Sequence, residues 1–241
     1  MAKKYRHLFI DFDDTLYDTH GNAEKVLRRL FEEFGLSEWF ERPDTFYEAY
    51  WPNNVILWSE YAAGKIDKAY LMVERFRRPL SLGRNRAGEK LVPTTDYCQR
   101  LNDWFLDQNA DMPGVVEGAH ELMTYLRGRG YGLHMCSNGF HEVQYRKLRA
   151  SGLLDFFDTV ILSEDAGVNK PSADFFAYAL RESGAKAEQT LMIGDNFVTD
   201  IQGARAAGID AMFFNRYPDD FQAPERVEYE ITKLEEAIGL L

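Results

Sequence analysis

Cysteine is nearly missing from this chain: Cys98 and Cys136 are the two present in 241 residues. They lie far apart and in no metal-like spacing, which excludes a disulfide framework and a thiolate zinc site and points to a reducing cytoplasm. Positive charge is also short, with 28 Lys/Arg against 39 Asp/Glu and a formal net charge of -11. That balance argues against nucleic-acid polymers and anionic membranes as partners. No apolar run approaches the length of a membrane span. The opening MAKKYRHLFID has no apolar h-region before Asp11, so it does not read as a signal peptide. Internal repeats and low-complexity segments are lacking as well.

What remains has the composition of a folded globular protein, 45% apolar and 14% aromatic. At this length the chain suits one large domain, or a core with a smaller module. The sequence leaves the oligomeric state open, monomer or dimer. From about Met112 onward, short apolar runs alternate with amphipathic stretches. YGLHMCS (131–137), DTVILS (158–163), QTLMIGD (189–195) and DAMFFN (210–215) read as strands, with HLFID (7–11) a further one and VEYEI (227–231) a last. Between them GAHELMTYLRGRG, EVQYRKLRASG, SADFFAYALRESG and TDIQGARAAG carry helical spacing and end in glycine. Continuous apolar strands alternating with helices predict an α/β fold with a parallel sheet.

Residues 18–110 differ. Asn22–Phe34, Thr45–Ala62, Asp67–Arg77 and Glu89–Gln108 read as helices with no convincing strand, so a helical module is inserted after the first strand. The chain then re-enters the sheet region at GVVEG (114–118). The expected division is a core of residues 1–17 and 111–241 and a module of residues 18–110. The module carries 13 Lys/Arg against 15 Asp/Glu, and the rest 15 against 24. An anionic substrate therefore has to be met by local cations.

Four stretches carry candidate chemistry. In HLFIDFDDTLYDT four aspartates (Asp11, Asp13, Asp14 and Asp18) fall within eight residues at the end of a strand. Like charges this close raise one another's pKa unless a cation relieves them. The bland alternative is a polar turn. In GDNFVTD, Asp195 follows the apolar LMI and Asp200 comes five residues later; a helix-start charge is the bland reading of Asp200. Clustered carboxylates at strand ends make a hard oxygen site suited to magnesium rather than zinc. In CSNG, Ser137 offers a hydroxyl and the Asn138–Gly139 backbone can aim amides at an anion, although S-N-G is also an ordinary turn. In NKPSADFF, Pro171 suits the first turn of a helix and would place Lys170 at the positive end of its dipole.

Taken in order, D-x-D-x-T, S-N-G, K-P and G-D-x(4)-D resemble the four motifs of the haloacid dehalogenase-like hydrolase superfamily, and the inserted module is similar to that superfamily's small helical cap. The resemblance covers essentially the whole chain. It implies a Rossmann-like core with helices on both faces of the sheet and an all-helical cap. It implies Asp11 as nucleophile, Asp13 as general acid/base, and Thr15, Ser137, Asn138 and Lys170 around the phosphoryl group. Magnesium would be held by Asp11, the Asp13 backbone carbonyl and Asp195, with Asp200 a ligand or an anchor for one. Asp14 is expected to be structural.

An acid at Asp13 favours a phosphatase over a dehalogenase, since a halide leaves without a proton. Phosphonate hydrolysis would need a lysine of depressed pKa in the cap, and Lys25, Lys65, Lys68 and Lys90 all lie outside apolar stretches.

Within the cap, Arg75, Arg77, Arg78, Arg84 and Arg86 fall within twelve residues; a solvated helix end explains them as well as a substrate role does. Trp51, Trp58 and Tyr61 read first as cap core. Asn54, the Leu57–Trp58 pair, Gly64 and the Arg75–Phe76 pair resemble the cap of the pyrimidine 5'-nucleotidase-like subgroup. That implies small phosphorylated metabolites, namely nucleoside monophosphates, with Asn54, Trp58 and Arg75 setting specificity. Two other readings stay open at this point. One is a sugar-phosphate phosphatase or phosphomutase, and the other a non-enzymatic phosphoacceptor domain.

Overall fold

The computed structural model describes residues 4–219 and 221–241. The chain divides into two compact units, Met1–Thr19 with Pro113–Leu241, and His20–Met112. Both cysteines are buried thiols, one in each unit. Among the described residues no helix is long and apolar enough to cross a membrane.

The chain opens with β1 (His7–Ile10) and then enters α1 (Thr19–Glu33), α2 (Pro43–Ala62), α3 (Lys68–Leu80) and α4 (Thr95–Ala110). In α1 the buried positions Ala23, Val26, Leu27, Leu30 and Phe31 recur at helical spacing and form one apolar stripe. They pack with Phe46, Tyr50, Phe76, Leu101 and Phe105 in a single aromatic-rich core. Local capping sets where these helices start. The Asp67 carboxylate accepts from the Tyr70 N–H at 2.8 Å ahead of α3, and the Thr94 hydroxyl accepts from the Tyr97 N–H at 3.2 Å ahead of α4. A helix over Glu89–Gln108 is therefore too long. Pro93 and the Thr94 cap start it at Thr95, and Lys90 instead bridges to Arg84.

The other unit continues with α5 (Ala119–Gly128), β2 (Gly132–Ser137), α6 (His141–Ala150), β3 (Thr159–Leu162), α7 (Ser163–Ala166) and α8 (Ala173–Ser183). β4 (Thr190–Gly194), α9 (Gly203–Ala206), β5 (Asp210–Phe214), β6 (Tyr229–Ile231) and α10 (Leu234–Leu240) complete it. The six strands form one sheet in the order β3-β2-β1-β4-β5-β6, and every pairing is parallel. In β1 consecutive residues Leu8, Phe9 and Ile10 have no exposure, so both faces of the sheet are covered.

The topology locates the site. From β1 the chain runs outward through β2 to β3, then crosses back to β4 on the opposite flank of β1. The strand order reverses between β1 and β4, and ligands of open α/β sheets bind at the carboxyl ends of the strands at such a point.

Two local expectations change. Pro171 is not in the first turn of a helix: α8 begins at Ala173, capped by the Ser172 hydroxyl on the Asp174 N–H, and the Lys170–Pro171 peptide is cis. TDIQGARAAG is not one α-helix either. A wide π-helical turn over Phe197–Gln202 precedes α9, and Asp200 lies within that turn rather than at an α-helix start.

Candidate active site

Each strand of the central trio ends in a polar residue. β1 runs into Asp11, β4 into Asp195, and β2 closes with Ser137. The parallel register carries past the strand ends, the Asp11 N–H donating to Ile193 O at 2.9 Å, so the two carboxylates emerge side by side. The turn after β4 folds Asp200 back toward them. Gly194 is essential there, because a Cβ would land on the Asp200 carboxylate.

Carboxylate oxygens of Asp11, Asp195 and Asp200 all lie within 4.8 Å of one another. Lys170 sits on this cluster, 1% exposed. Its Nζ donates to Asp11 Oδ1 at 2.6 Å, Asp200 Oδ1 at 2.6 Å and Cys136 O at 2.7 Å, which uses all three ammonium protons. Asn138 grips the Lys170 backbone, its amide accepting from Lys170 N at 2.8 Å and donating to Lys170 O at 3.0 Å. The Asn138 side chain is thus committed to holding Lys170.

Three carboxylates against one ammonium leave two negative charges, the complement of a divalent cation. Burial pushes the Asp11 carboxyl up to about 7 despite the pull of Lys170. Burial, with the charge of Asp11 next, pushes Asp195 well above the usual carboxylate range. Burial works against the Lys170 charge, but Asp11 and Asp200 prevail and hold its proton more tightly than usual. A set of anionic oxygen donors raised in this way fits a hard divalent ion. The Thr15 hydroxyl stands 3.2 Å from Asp11 Oδ2 and 3.0 Å from Asp195 Oδ1, with a single proton to give, and accepts from Asp195 N at 3.1 Å.

Asp13 is held apart from that trio. Its Oδ1 accepts from Thr19 Oγ1 at 2.8 Å and Lys147 Nζ at 2.6 Å, and its Oδ2 from Gln144 Nε2 at 2.6 Å. Burial works to raise this carboxyl, yet Lys147 and the two neutral donors outweigh it and hold Asp13 below the ordinary value. Gln144 Nε2 also donates to Ser137 Oγ at 2.7 Å, and the Gly139 N–H donates to the same oxygen at 3.0 Å. Ser137 accepts twice and keeps its own proton to donate.

Sequence reasoning passed over Lys147 and Gln144. A signal existed: in EVQYRKLR the buried positions Val143, Gln144, Lys147 and Leu148 form one stripe, with two polar residues where core would be expected. Arg216 was also passed over. It pairs with Asp14 at 3.2 Å and with Asp18 at 2.8 Å. Asp14 takes φ 60, a left-handed conformation aspartate tolerates better than most residues, in the turn leaving β1.

In the helical unit, Arg75 and Asn54 are brought together. Arg75, 4% exposed, donates from Nη2 to Asn54 Oδ1 at 3.0 Å and from Nε to Tyr50 Oη at 3.1 Å. Trp58 packs edge-on against Tyr61 with centroids 5.6 Å apart. Arg77 and Arg78 pair with Glu74, Arg77 at 3.5 Å and Arg78 at 3.6 Å.

Comparison with known proteins finds relatives over nearly the whole chain. The chain is 30% identical over 239 residues to the pyrimidine 5'-nucleotidase PynA of Streptococcus pneumoniae, covering 98% of this chain and 95% of that one. It is 28% identical to a phosphoserine phosphatase of Thermus thermophilus, over 90% and 92% of the two chains. The crystal structure of the HAD-hydrolase YfnB of Bacillus subtilis, bound to magnesium, superposes with a TM-score of 0.83 at 31% identity, covering 99% of each chain. The model of the haloacid dehalogenase-like hydrolases matches residues 5–208, and the chain belongs to that family.

Proposed function

We propose that this hydrolase is a magnesium-dependent phosphomonoesterase that works through an aspartyl-phosphate on Asp11, with nucleoside monophosphates as its substrates. One observation carries the reading. Asp11 stands in a buried trio of carboxylates paired with Lys170, an oxygen donor set for a divalent ion, whereas Asp13, two residues on, stands outside it with its carboxylate held by Lys147, Gln144 and Thr19. That separation gives a nucleophile beside the ion and a proton carrier away from it.

A carboxylate attacking a phosphate monoester must overcome the repulsion between two anions. Asp11, the Asp13 carbonyl, Asp195 and Asp200 would hold a divalent ion, which would supply that charge compensation. Lys170 holds one Asp11 oxygen and an oxygen of Asp200, and so fixes the nucleophile relative to the ligand set. The Ser137 proton is available to a phosphoryl oxygen, and the Thr15 hydroxyl becomes a second donor when it turns from Asp11 and Asp195. Asp13 gives the leaving alkoxide the proton it took from the water of the preceding turnover, then takes another from the water that opens the aspartyl-phosphate.

The substrate class draws on the likeness to a pyrimidine 5'-nucleotidase, and the buried Asn54–Arg75 pair offers polar recognition in the helical unit. A relative named phosphoserine phosphatase makes a non-nucleotide monoester the reading to test against it. The experiment is phosphate release from a panel of nucleoside monophosphates, phosphoserine and sugar phosphates, with magnesium and with EDTA. Release of inorganic phosphate separates hydrolysis from phosphoryl isomerisation. Magnesium-dependent preference for pyrimidine monophosphates bears the reading out, and a preferred sugar phosphate or phosphoserine overturns its substrate class.

A further inference from the structure

Lys147 is 6% exposed on α6. An ammonium in such a place is costly unless paired, and an apolar residue would serve packing better. Its partner is Asp13 at 2.6 Å, and its Nζ also lies 4.9 Å from the centre of the Tyr17 ring. Three residues before it, Gln144 is fully buried and spends one amide proton on Asp13 and the other on Ser137. The Gln144 side chain lies where a Cβ on Gly139 would have to go, so the glycine of the S-N-G turn is what admits it.

We propose that Lys147 and Gln144 are positioning residues for Asp13: with Thr19 they put donors on both carboxylate oxygens and fix the side chain for proton transfer. A free aspartate rotates about two torsions. Donors on Oδ1 from Thr19 and Lys147, and on Oδ2 from Gln144, fix both. Proton transfer to a leaving oxygen depends steeply on such placement. The Gln144 amide further ties Asp13 to the Ser137 hydroxyl, so the proton carrier and a phosphoryl donor keep a set relation. The inference rests on the phosphatase reading, because it needs a leaving group that requires a proton.

The test is a double-mutant cycle read on two esters, a nucleoside monophosphate with an alkoxide leaving group and p-nitrophenyl phosphate with an easily expelled aryloxide. Lys147→Met should lower kcat on the alkyl ester roughly ten- to a hundredfold, a partial loss of a proton-transfer contribution of about 100- to 10,000-fold. KM and the aryl ester should be nearly unaffected. In an Asp13→Asn background the same substitution should cost nothing further, and Lys147→Arg should restore most of the loss. Gln144→Leu should repeat the pattern and serves if Lys147→Met folds poorly. Losses equal on both esters, or persisting undiminished in the Asp13→Asn background, would overturn the assignment while leaving the phosphatase reading intact. A wild-type enzyme that released phosphate from neither ester nor from phosphoserine or the sugar phosphates would overturn the phosphatase reading, and this assignment with it.

Discussion

Lys170→Met tests what the buried lysine does. Its ammonium spends three protons on Asp11, Asp200 and Cys136 O, so the structure leaves no donor for a phosphoryl oxygen. Its first task is to hold carboxylates together. Methionine nearly keeps the length and removes the charge, leaving two buried carboxylates without their cation. Hydrogen bonds to charged groups contribute roughly 1.5–3 kcal/mol each, and breaking a buried pair costs about 3–5 kcal/mol. The metal-free variant should therefore lose about 3–5 kcal/mol, a fall in Tm of roughly 6–20 °C for a protein of this size.

Magnesium should recover more of the loss in the variant than it adds to the wild type. The ion then meets three carboxylates with no competing ammonium, and a tenfold gain in affinity adds about 1.4 kcal/mol at saturation. The assay is thermal unfolding in EDTA and across a magnesium titration at pH 8. The deficit in EDTA should shrink at pH 6, because Asp11, already pushed up to about 7, takes a proton in place of the lost charge. A Lys170→Met protein as stable as wild type in EDTA, or one that gains less from magnesium, refutes the reasoning. Lys170 would then belong to the substrate rather than to the carboxylates.

Asp11→Asn should abolish turnover and raise the metal-free Tm slightly, since it deletes one buried negative charge; turnover by the purified variant removes Asp11 from the nucleophile role. Asp13→Asn should depress hydrolysis of alkyl phosphates about 100-fold or more and of aryl phosphates much less, and equal losses argue against an acid at Asp13. Gly194→Ala drives a methyl into the Asp200 carboxylate and should weaken magnesium binding measured by calorimetry; unchanged affinity would mean that Asp200 takes no part in holding the ion. A carboxyl raised from 3.8 to about 7 by folding stabilises the metal-free protein at low pH and loses that effect as pH rises through about 7. The Tm gain from magnesium should grow over the same interval, because the ion takes the place of the proton, and a gain that stays flat from pH 5 to 8 would contradict the raised pKa.

Much of the fold was legible because its determinants are local. Apolar runs such as LFI and LMI make up the bodies of β1 and β4, and Gly184, with φ 65, stops a helix where a left-handed residue is needed. Asp11, Ser137, Lys170 and Asp195 were legible for the same reason, each lying at or just beyond a strand end or shortly before a helix. Lys147, Gln144 and Arg216 were not, because their meaning is tertiary. Lys147 is 134 residues from its partner Asp13, and Arg216 is 202 from Asp14. A lysine in an amphipathic helix reads as solvated until the sheet brings a carboxylate to it. The misplaced helix start at Pro171 has the same origin: a proline before a helical stripe is compatible with several positions, and the Ser172 cap decided which.

The crowded aspartates of the first motif now have a physical account, and it is not one cation. Asp11 is met by Lys170, Asp13 by Lys147, and Asp14 and Asp18 by Arg216. These cations come from the segment before α8, from α6 and from the turn after β5. Four like charges on one loop after β1 would repel, but the parallel sheet radiates other loops around them, and each supplies a cation. Such a division keeps the charges from being interchangeable. A single cation shared among the four would let the loop settle in several arrangements of similar energy. Separate partners on separate elements fix which carboxylate joins the acidic trio and which stands outside it, and the proposed division of labour between Asp11 and Asp13 requires that separation.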